Sequence, residues 1–337
     1  MKGADTNDAL TRFLLHRAIN LFKAEWHYAL SHLGIVRFSH LPVFVSIEPA
    51  ACCNLHCPEC PVGNPSLREG ATGYKPRLMP MPLFERILQQ VKPFVHTMQF
   101  FFQGEPTLHP DLPEMIRLAR LEGIHTIVST NANALTATMA EALVDAGLNR
   151  IIVSADGLSE TSYRAYRQGG SLQKALEGLR YLREAKNRLR AHTHIELQCL
   201  RLKTNEHEWQ LFKERYKTLG ADSLTFKTAQ LYDYRQGHPL MPSHPRHCRY
   251  RKGKDGIWHL HRPWWRTKIC HRLFTGCVID TAGNVLPCCF DKNGRYPFGN
   301  LQQQPFADVW QSPSAKSFRN EALHHRAAIG ICNNCTE

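Results

Sequence analysis

The stretch Ala51-Cys52-Cys53-Asn54-Leu55-His56-Cys57-Pro58-Glu59-Cys60-Pro61 decides how the rest of the chain is read. Cys53, Cys57 and Cys60 are separated by three and then two residues. So short a loop can present three thiolates to three corners of an iron–sulfur cubane, leaving one iron without a protein ligand. A catalytic metal centre needs such an open position, whereas a structural one takes a full protein ligand set. A zinc knuckle completed by Cys52 or His56 would use the same residues. Otherwise Cys52 reads as a spare buried thiol.

Upstream of the loop, residues 43–47 have the pattern of a strand. Downstream, strand and helix patterns alternate: helix at 81–91, strand at 97–102, helix at 112–122, strand at 126–129, helix at 136–146, strand at 150–154, helices to 189, strand at 194–200, helix at 206–219 and strand at 223–228. Strands each followed by helix predict a parallel sheet covered by helices. The expected fold class is α/β, a partial (β/α)6 TIM-like barrel. Such barrels place chemistry at the C-terminal ends of their strands, where the cysteine loop falls. Apolar residues at helical spacing between 7 and 33, among them Leu10, Phe13, Leu14, Phe22 and Trp26, predict one or two amphipathic helices packed on the barrel.

After about residue 230 the period breaks. Residues 232–245 are rich in Pro, His and Tyr, and residues 246–272 in Arg, Lys, His and Trp. Cys270, Cys288, Cys332 and Cys335 follow. A hairpin turn at 280–284 would bring Cys270 and Cys288 together, and a helix at 306–319 would return the last pair to them. The expected division is an N-terminal helical extension (1–40), the barrel (41–235), and a linker with a small cysteine-bearing domain (236–337). Cys289 could replace Cys288, and a four-cysteine zinc ribbon is the bland alternative. Cys248 and Cys277 have no assigned role.

The chain of 337 residues is 43% hydrophobic, enough to build a core without staples, so its twelve cysteines read as metal or redox ligands. The polar start and the lack of any run near 18 apolar residues predict a cytoplasmic protein with no membrane span. The net charge of +13 attracts acidic partners: nucleic acid, nucleotide, a phosphorylated substrate or an acidic peptide.

With its neighbours, the cysteine loop resembles the signature loop of the radical S-adenosylmethionine (AdoMet, SAM) superfamily. Gln103-Gly104-Glu105-Pro106 follows strand two and resembles that family's Gly-Gly-Glu-Pro motif. Ser129-Thr130-Asn131 closes strand three, and Ser154-Ala155-Asp156-Gly157 closes strand four. The stretch from Tyr163 to Gly170 resembles the Tyr-x-x-Tyr-Arg-x-Gly-Gly segment of members with a C-terminal auxiliary-cluster domain. The resemblance covers roughly residues 43–337. It implies a [4Fe–4S] cluster on Cys53, Cys57 and Cys60 with AdoMet on the open iron. It also implies AdoMet contacts from Gly104, Glu105, Thr130, Asn131, Ser154, Asp156 and Arg167. Glu105 would meet the methionyl amine, and Arg167 the methionyl carboxylate or ribose. Two departures stand out: Gln103 replaces the motif's first Gly, and Glu59 stands where many members carry an aromatic.

The C-terminal cysteines resemble the twitch domain, a shortened relative of the SPASM domain. Cys270, Cys288, Cys332 and Cys335 would hold a second, fully ligated [4Fe–4S] cluster. The implied reaction is reductive cleavage of AdoMet, hydrogen abstraction by a 5′-deoxyadenosyl radical and oxidation or dehydrogenation of the substrate. The enzyme would be an oxidoreductase or maturase acting on a small molecule or a peptide, acidic or phosphorylated ones included, with flavodoxin or ferredoxin as electron donor. Lys227, Gln230 and Gln198 are candidate substrate contacts. The basic run (Arg246, Arg249, Arg251, Lys252, Lys254, Arg262, Arg266, Lys268) could hold an anion, or stack on bases with Trp258, Trp264 and Trp265. The competing class is a zinc-binding, basic nucleic-acid-binding protein.

Overall fold

The computed structural model describes residues 2–67, 77–262 and 269–336, with residues 2–14 as backbone alone. Arg266, Lys268, Trp264 and Trp265 of the basic run lie outside the described residues. The chain starts with a single helix, α1 (Lys2–Ser31). Six strands then form a parallel sheet in chain order: β1 (Phe44–Ile47), β2 (Thr97–Phe100), β3 (His125–Thr130), β4 (Arg150–Ser154), β5 (His194–Arg201) and β6 (Ser223–Thr228). The helices between them are α2 (Met81–Val91), α3 (Leu112–Leu121), α4 (Ala137–Asp145), α5 (Glu160–Arg164), α6 (Leu172–Arg188) and α7 (Trp209–Arg215). Side-chain caps start several of them: Thr136 accepts from the Met139 N–H, and Ser171 from the Lys174 N–H.

Strand parity separates two chemistries. Val45, Ile47, Met98, Phe100, Val128, Ile151, Val153, Ile195 and Leu197 join the core under the helices. The alternate residues Ser46, Gln99, Ser129, Ser154, Glu196, Gln198 and Lys227 point to the other face. There Ser46 donates to Gln99, and Arg150 pairs with Glu196. The inner face of the barrel is therefore polar.

The C-terminal chain extends this sheet. After α8 (Arg272–Thr275), a strand at Gly276–Ile279 runs parallel to β1, with Phe44 opposite Gly276 and Ile47 opposite Ile279. Numbered in chain order after the small hairpin β7 (Tyr250–Lys252) and β8 (Trp258–Leu260), this strand is β9. The predicted turn at 280–284 folds β10 (Asn284–Leu286) back on β9, and β11 (Gly299–Asn300) completes a nine-stranded sheet. Gly283, at φ +82°, supplies the left-handed residue of that turn. The helix expected at 306–319 is two helices, α9 (Phe306–Trp310) and α10 (Pro313–His324). Ser312 caps the second and Pro313 opens its first turn, so the backbone restarts there.

Leu10, Phe13 and Leu14 lie among the residues whose side chains are not described, but over residues 15–31 the packing of α1 differs from the amphipathic expectation. It docks through Arg17, Asn20, Ala24, His27 and Ser31, while Phe22 and Trp26 remain 68% and 54% exposed. Arg17 donates to the carbonyls of Lys92, Glu122 and Gly123. Those carbonyls end α2 and α3, where a guanidinium satisfies orphan acceptors and meets the negative ends of two helix dipoles. Polar recognition of helix ends replaces the apolar contact that periodicity suggests.

Candidate active site at the barrel mouth

β1 delivers the cysteine loop to the C-terminal end of the sheet, and the ends of the next strands fix its shape. The Glu105 N–H donates to the Cys52 carbonyl at 2.8 Å, and the His56 N–H to the Gln168 carbonyl at 2.8 Å. A Cβ on Gly104 would lie 2.0 Å from the Ala50 carbonyl oxygen, so only glycine admits this approach. Gly170 likewise lets the end of the Tyr163–Gly170 stretch pack on Leu55, where a Cβ would meet its side chain at 3.0 Å. Around the loop, Leu55, Tyr166, Leu202, Leu231, Met241 and Tyr250 form an apolar cluster separate from the main core.

Cys53, Cys57 and Cys60 lie close enough to feel one another's charge. Two of their sulfurs are approached by donors. The Cys53 Sγ receives the Leu55 N–H at 3.4 Å and faces the Asn131 amide at 3.7 Å. Arg167 approaches Cys57, partly offsetting the burial that raises that thiol. Burial, the dominant cause, pushes the Cys53 thiol up to about 12. Sulfurs ringed by N–H donors suit thiolate ligands, and metal binding would replace their protons. Cys52 is influenced instead by Glu48.

Glu105 is buried, and its carboxylate accepts four hydrogen bonds: from the Thr107 N–H and hydroxyl, the Thr130 hydroxyl and the Asn131 N–H. Both oxygens thus order the ends of β2 and β3. In this geometry the carboxylate fixes the residues around the mouth. Asp156 pairs with Arg167 at 2.6 Å and accepts from the Leu200 N–H at 2.6 Å. The guanidinium lies between that carboxylate and Cys57. Ser154 ends β4 beside Gln198, whose buried Oε1 has no hydrogen-bond partner. Lys227 is on the same face and exposed, its ammonium lowered first by partial desolvation.

Sequence reasoning missed several residues here. Glu59 accepts from the Tyr232 N–H at 2.7 Å and meets His238 at 3.3 Å, holding the segment after β6 over the loop. Gln103 donates to the Lys292 carbonyl at 2.7 Å. Both are departures from the family pattern, and that was the available signal. A cavity of about 670 Å³ lies under this cover, lined by Gln230, Tyr232, Tyr234, Phe290, Lys292 and Asn333 among others.

The C-terminal cysteines form a second group. Cys288 lies within electrostatic reach of Cys270 and Cys335, and Cys332 of Cys335 and Cys270. Arg326 approaches Cys335 at 3.8 Å. Arg262 grips the carbonyls of Cys335 and Cys332. Cys289 is felt by Lys227 and Lys292, at the mouth. Cys277 is buried in the core beside Arg319, and Cys248 in the apolar cluster. Among the described residues no three His, Cys, Asp or Glu side chains converge as ligands of one ion would.

Residues 47–197 match the model of the radical SAM superfamily, and residues 270–336 that of SPASM, an iron–sulfur cluster-binding domain. The chain belongs to the radical SAM superfamily. A radical SAM domain with a SPASM domain carries a [4Fe–4S] cluster, auxiliary iron–sulfur centres and AdoMet, and radical SAM enzymes catalyse radical reactions. An AdoMet-dependent heme synthase of Methanosarcina barkeri is 24% identical over 333 residues, 88% of this chain and 90% of the relative. A GTP 3′,8-cyclase of Listeria monocytogenes is 33% identical over 159 residues, 44% of each chain. Among solved radical SAM structures, Streptococcus suis SuiB bound to S-adenosylmethionine superimposes with TM-score 0.63 at 18% identity, covering 94% of this chain and 76% of that one. BtrN in complex with AdoMet and 2-DOIA gives 0.53 at 17% identity, covering 89% and 95%. These likenesses establish the shared fold. No helix among the described residues is long and apolar enough to cross a membrane.

Proposed function

We propose that this chain is a radical SAM oxidoreductase or maturase that oxidises an anionic small molecule or peptide, with Cys53, Cys57 and Cys60 holding the AdoMet-binding cluster. One observation carries the reading: three neighbouring thiols of one loop, Cys57 buried and Cys53 and Cys60 half-buried, with N–H donors at the first two, at the C-terminal ends of a parallel barrel. Bound there, the cluster and AdoMet supply reductive cleavage of the sulfonium and hydrogen abstraction from a substrate C–H bond.

The chain's own residues position and shield. Glu105 orders Thr130 and Asn131, and Asn131 faces the Cys53 sulfur. Asp156 holds Arg167 beside Cys57, at the mouth where Ser154 and Gly104 also lie. A guanidinium so held suits a carboxylate such as the methionyl group. Leu55, Tyr166 and Tyr250 keep water from the loop. Cys270, Cys288, Cys332 and Cys335 would hold the auxiliary cluster, and the nearness of Cys288 to Cys270 and Cys335 favours it over Cys289. A closed four-thiolate centre leaves electron transfer or structural organisation as its role, and electron transfer suits an oxidation, with a flavodoxin or ferredoxin feeding the first cluster.

The substrate range draws on the relatives: a heme synthase matched over most of both chains, and solved neighbours bound to 2-DOIA or to the precursor peptide SuiA. Anaerobic incubation of the reconstituted protein with AdoMet and a strong reductant tests the reading. Release of 5′-deoxyadenosine, absent in Cys57→Ala, is expected; colourless protein binding only zinc overturns it.

A further inference from the structure

The cover of the barrel mouth carries two cations that the fold does not fully use. Arg249, just before β7, has its Nε and Nη1 buried without a hydrogen-bond partner. Its Nη2 makes one long contact, 3.4 Å, to the Thr228 carbonyl at the end of β6. A buried N–H left unpaired costs about 1–3 kcal/mol, and where a native fold tolerates one, a missing ion, water or ligand group is the usual reason. Other arginines of the same run are used internally: Arg251 by the carbonyls of Pro245 and Cys248, and Arg262 by those of the terminal cysteines.

Lys292 lies within the electrostatic field of Arg249, and Cys60 and Cys289 also act on its ammonium. One carboxylate acting on it, Glu59, is already engaged by the Tyr232 N–H and His238. Gln103 anchors the Lys292 backbone to the exit of β2. The lysine head sits 5.3 Å from the centre of the Tyr232 ring, in the wall of the 670 Å³ cavity. Two half-buried cations in one another's field repel, and an anion placed between them offsets that repulsion.

We propose that Arg249 and Lys292 form an oxyanion clamp that takes a carboxylate or phosphate group of the substrate and orients it beside Cys60. Gln103 is the positioning residue for the lysine. The clamp selects acidic substrates over neutral ones of the same shape. This inference rests on the radical SAM reading above, but the two fail separately. That reading fails if wild-type protein releases no 5′-deoxyadenosine. The clamp fails on anion affinity.

The test uses full-length, anaerobically reconstituted protein titrated by calorimetry at low ionic strength with inorganic phosphate and, separately, with succinate. One of the two should saturate a single site, which identifies phosphate or carboxylate as the group recognised. Arg249→Gln and Lys292→Gln should each weaken that anion at least tenfold, with Arg249→Lys recovering part of the loss. Iron content and AdoMet affinity are measured on every variant. Wild-type protein that binds neither anion, or variants that bind the anion as well as wild type, overturn the proposal. So does AdoMet affinity falling in step with anion affinity, because the arginine would then serve the cosubstrate. If the variants fail to fold, mass spectrometry on wild type decides: saturating anion should slow phenylglyoxal modification of Arg249 at least fivefold, and no protection overturns the clamp.

Discussion

The two cysteine groups are built on opposite plans. The first takes three thiols from eight consecutive residues, Cys53 to Cys60, on the loop that leaves one strand. The second gathers Cys270, Cys288, Cys332 and Cys335 from the far ends of a hairpin and a helical return. Each has an arginine at its sulfurs, but the half-buried Arg167 is shared with Asp156, whereas the buried Arg326 leans on the sulfurs and Arg262 ties down the carbonyls beside them. A local set of three leaves a corner open and depends on neighbouring strands for its environment. A dispersed set of four closes its centre and fastens chain segments to one another. Reactivity goes with the first plan and cohesion with the second.

That contrast can be broken most sharply at Cys57. Cys57→Ala should reduce 5′-deoxyadenosine release to background, with iron falling from about eight toward about four per chain, read by iron assay and chromatography. Cys335→Ala should lose similar iron but diminish release far less, while lowering the melting temperature. In the same assays Cys288→Ala should behave like Cys335→Ala and Cys289→Ala should keep its iron; the reverse would exchange their roles. Asp156→Asn strands Arg167 as a buried cation without its partner, at a cost of about 3–5 kcal/mol in denaturant unfolding, with weaker AdoMet binding.

A smaller effect lies away from both centres. His27 and His40 face each other through their Nδ1 atoms at 2.8 Å, and the His40 Nε2 meets the Phe274 carbonyl at 2.7 Å. Burial, more than the nearby positive groups, lowers His40 to about 4. The unfolded chain, with an ordinary histidine near 6.5, therefore binds the proton more readily. Stability should be complete above about pH 6.5 and fall by roughly 2–3 kcal/mol as pH drops toward 4. His40→Gln should flatten that slope in pH-dependent urea titrations. The smallest effect expected is Glu59→Gln, which keeps an acceptor for the Tyr232 N–H but loses the charge facing His238, about 1 kcal/mol by thermal unfolding.

Much of this was legible in the sequence. The six strands and their helices fall within a few residues of their predicted positions, because apolar alternation and capping residues such as Thr136 and Ser171 mark them locally. The cysteine loop was legible because its spacing is short and its chemistry narrow. Other features were hidden for physical reasons. Phe22 and Trp26 have the periodicity of a buried face, yet the docking of α1 follows Arg17 onto carbonyls donated by two distant helices. Glu105 has a motif position and two local donors in Thr107, but its other two, Thr130 and Asn131, come from the end of β3, which only tertiary structure brings to it. Cys288 and Cys289 are adjacent in sequence, and only the fold separates their surroundings.

The pairing of β1 with β9 has a consequence for synthesis of the chain. β1 lies between β2 and a strand encoded some 230 positions later in the polypeptide, Phe44 against Gly276. While the ribosome elongates, one edge of the first strand emerges and waits with its amides unpaired, next to a loop of reactive thiols. Nascent chains therefore carry an open β-edge until nearly the whole message is translated, a natural site for chaperone capture and for misassembly. Sheet closure and maturation of the first metal centre become late, coupled events, and a chain released before Gly276 should aggregate with its cysteines unfilled.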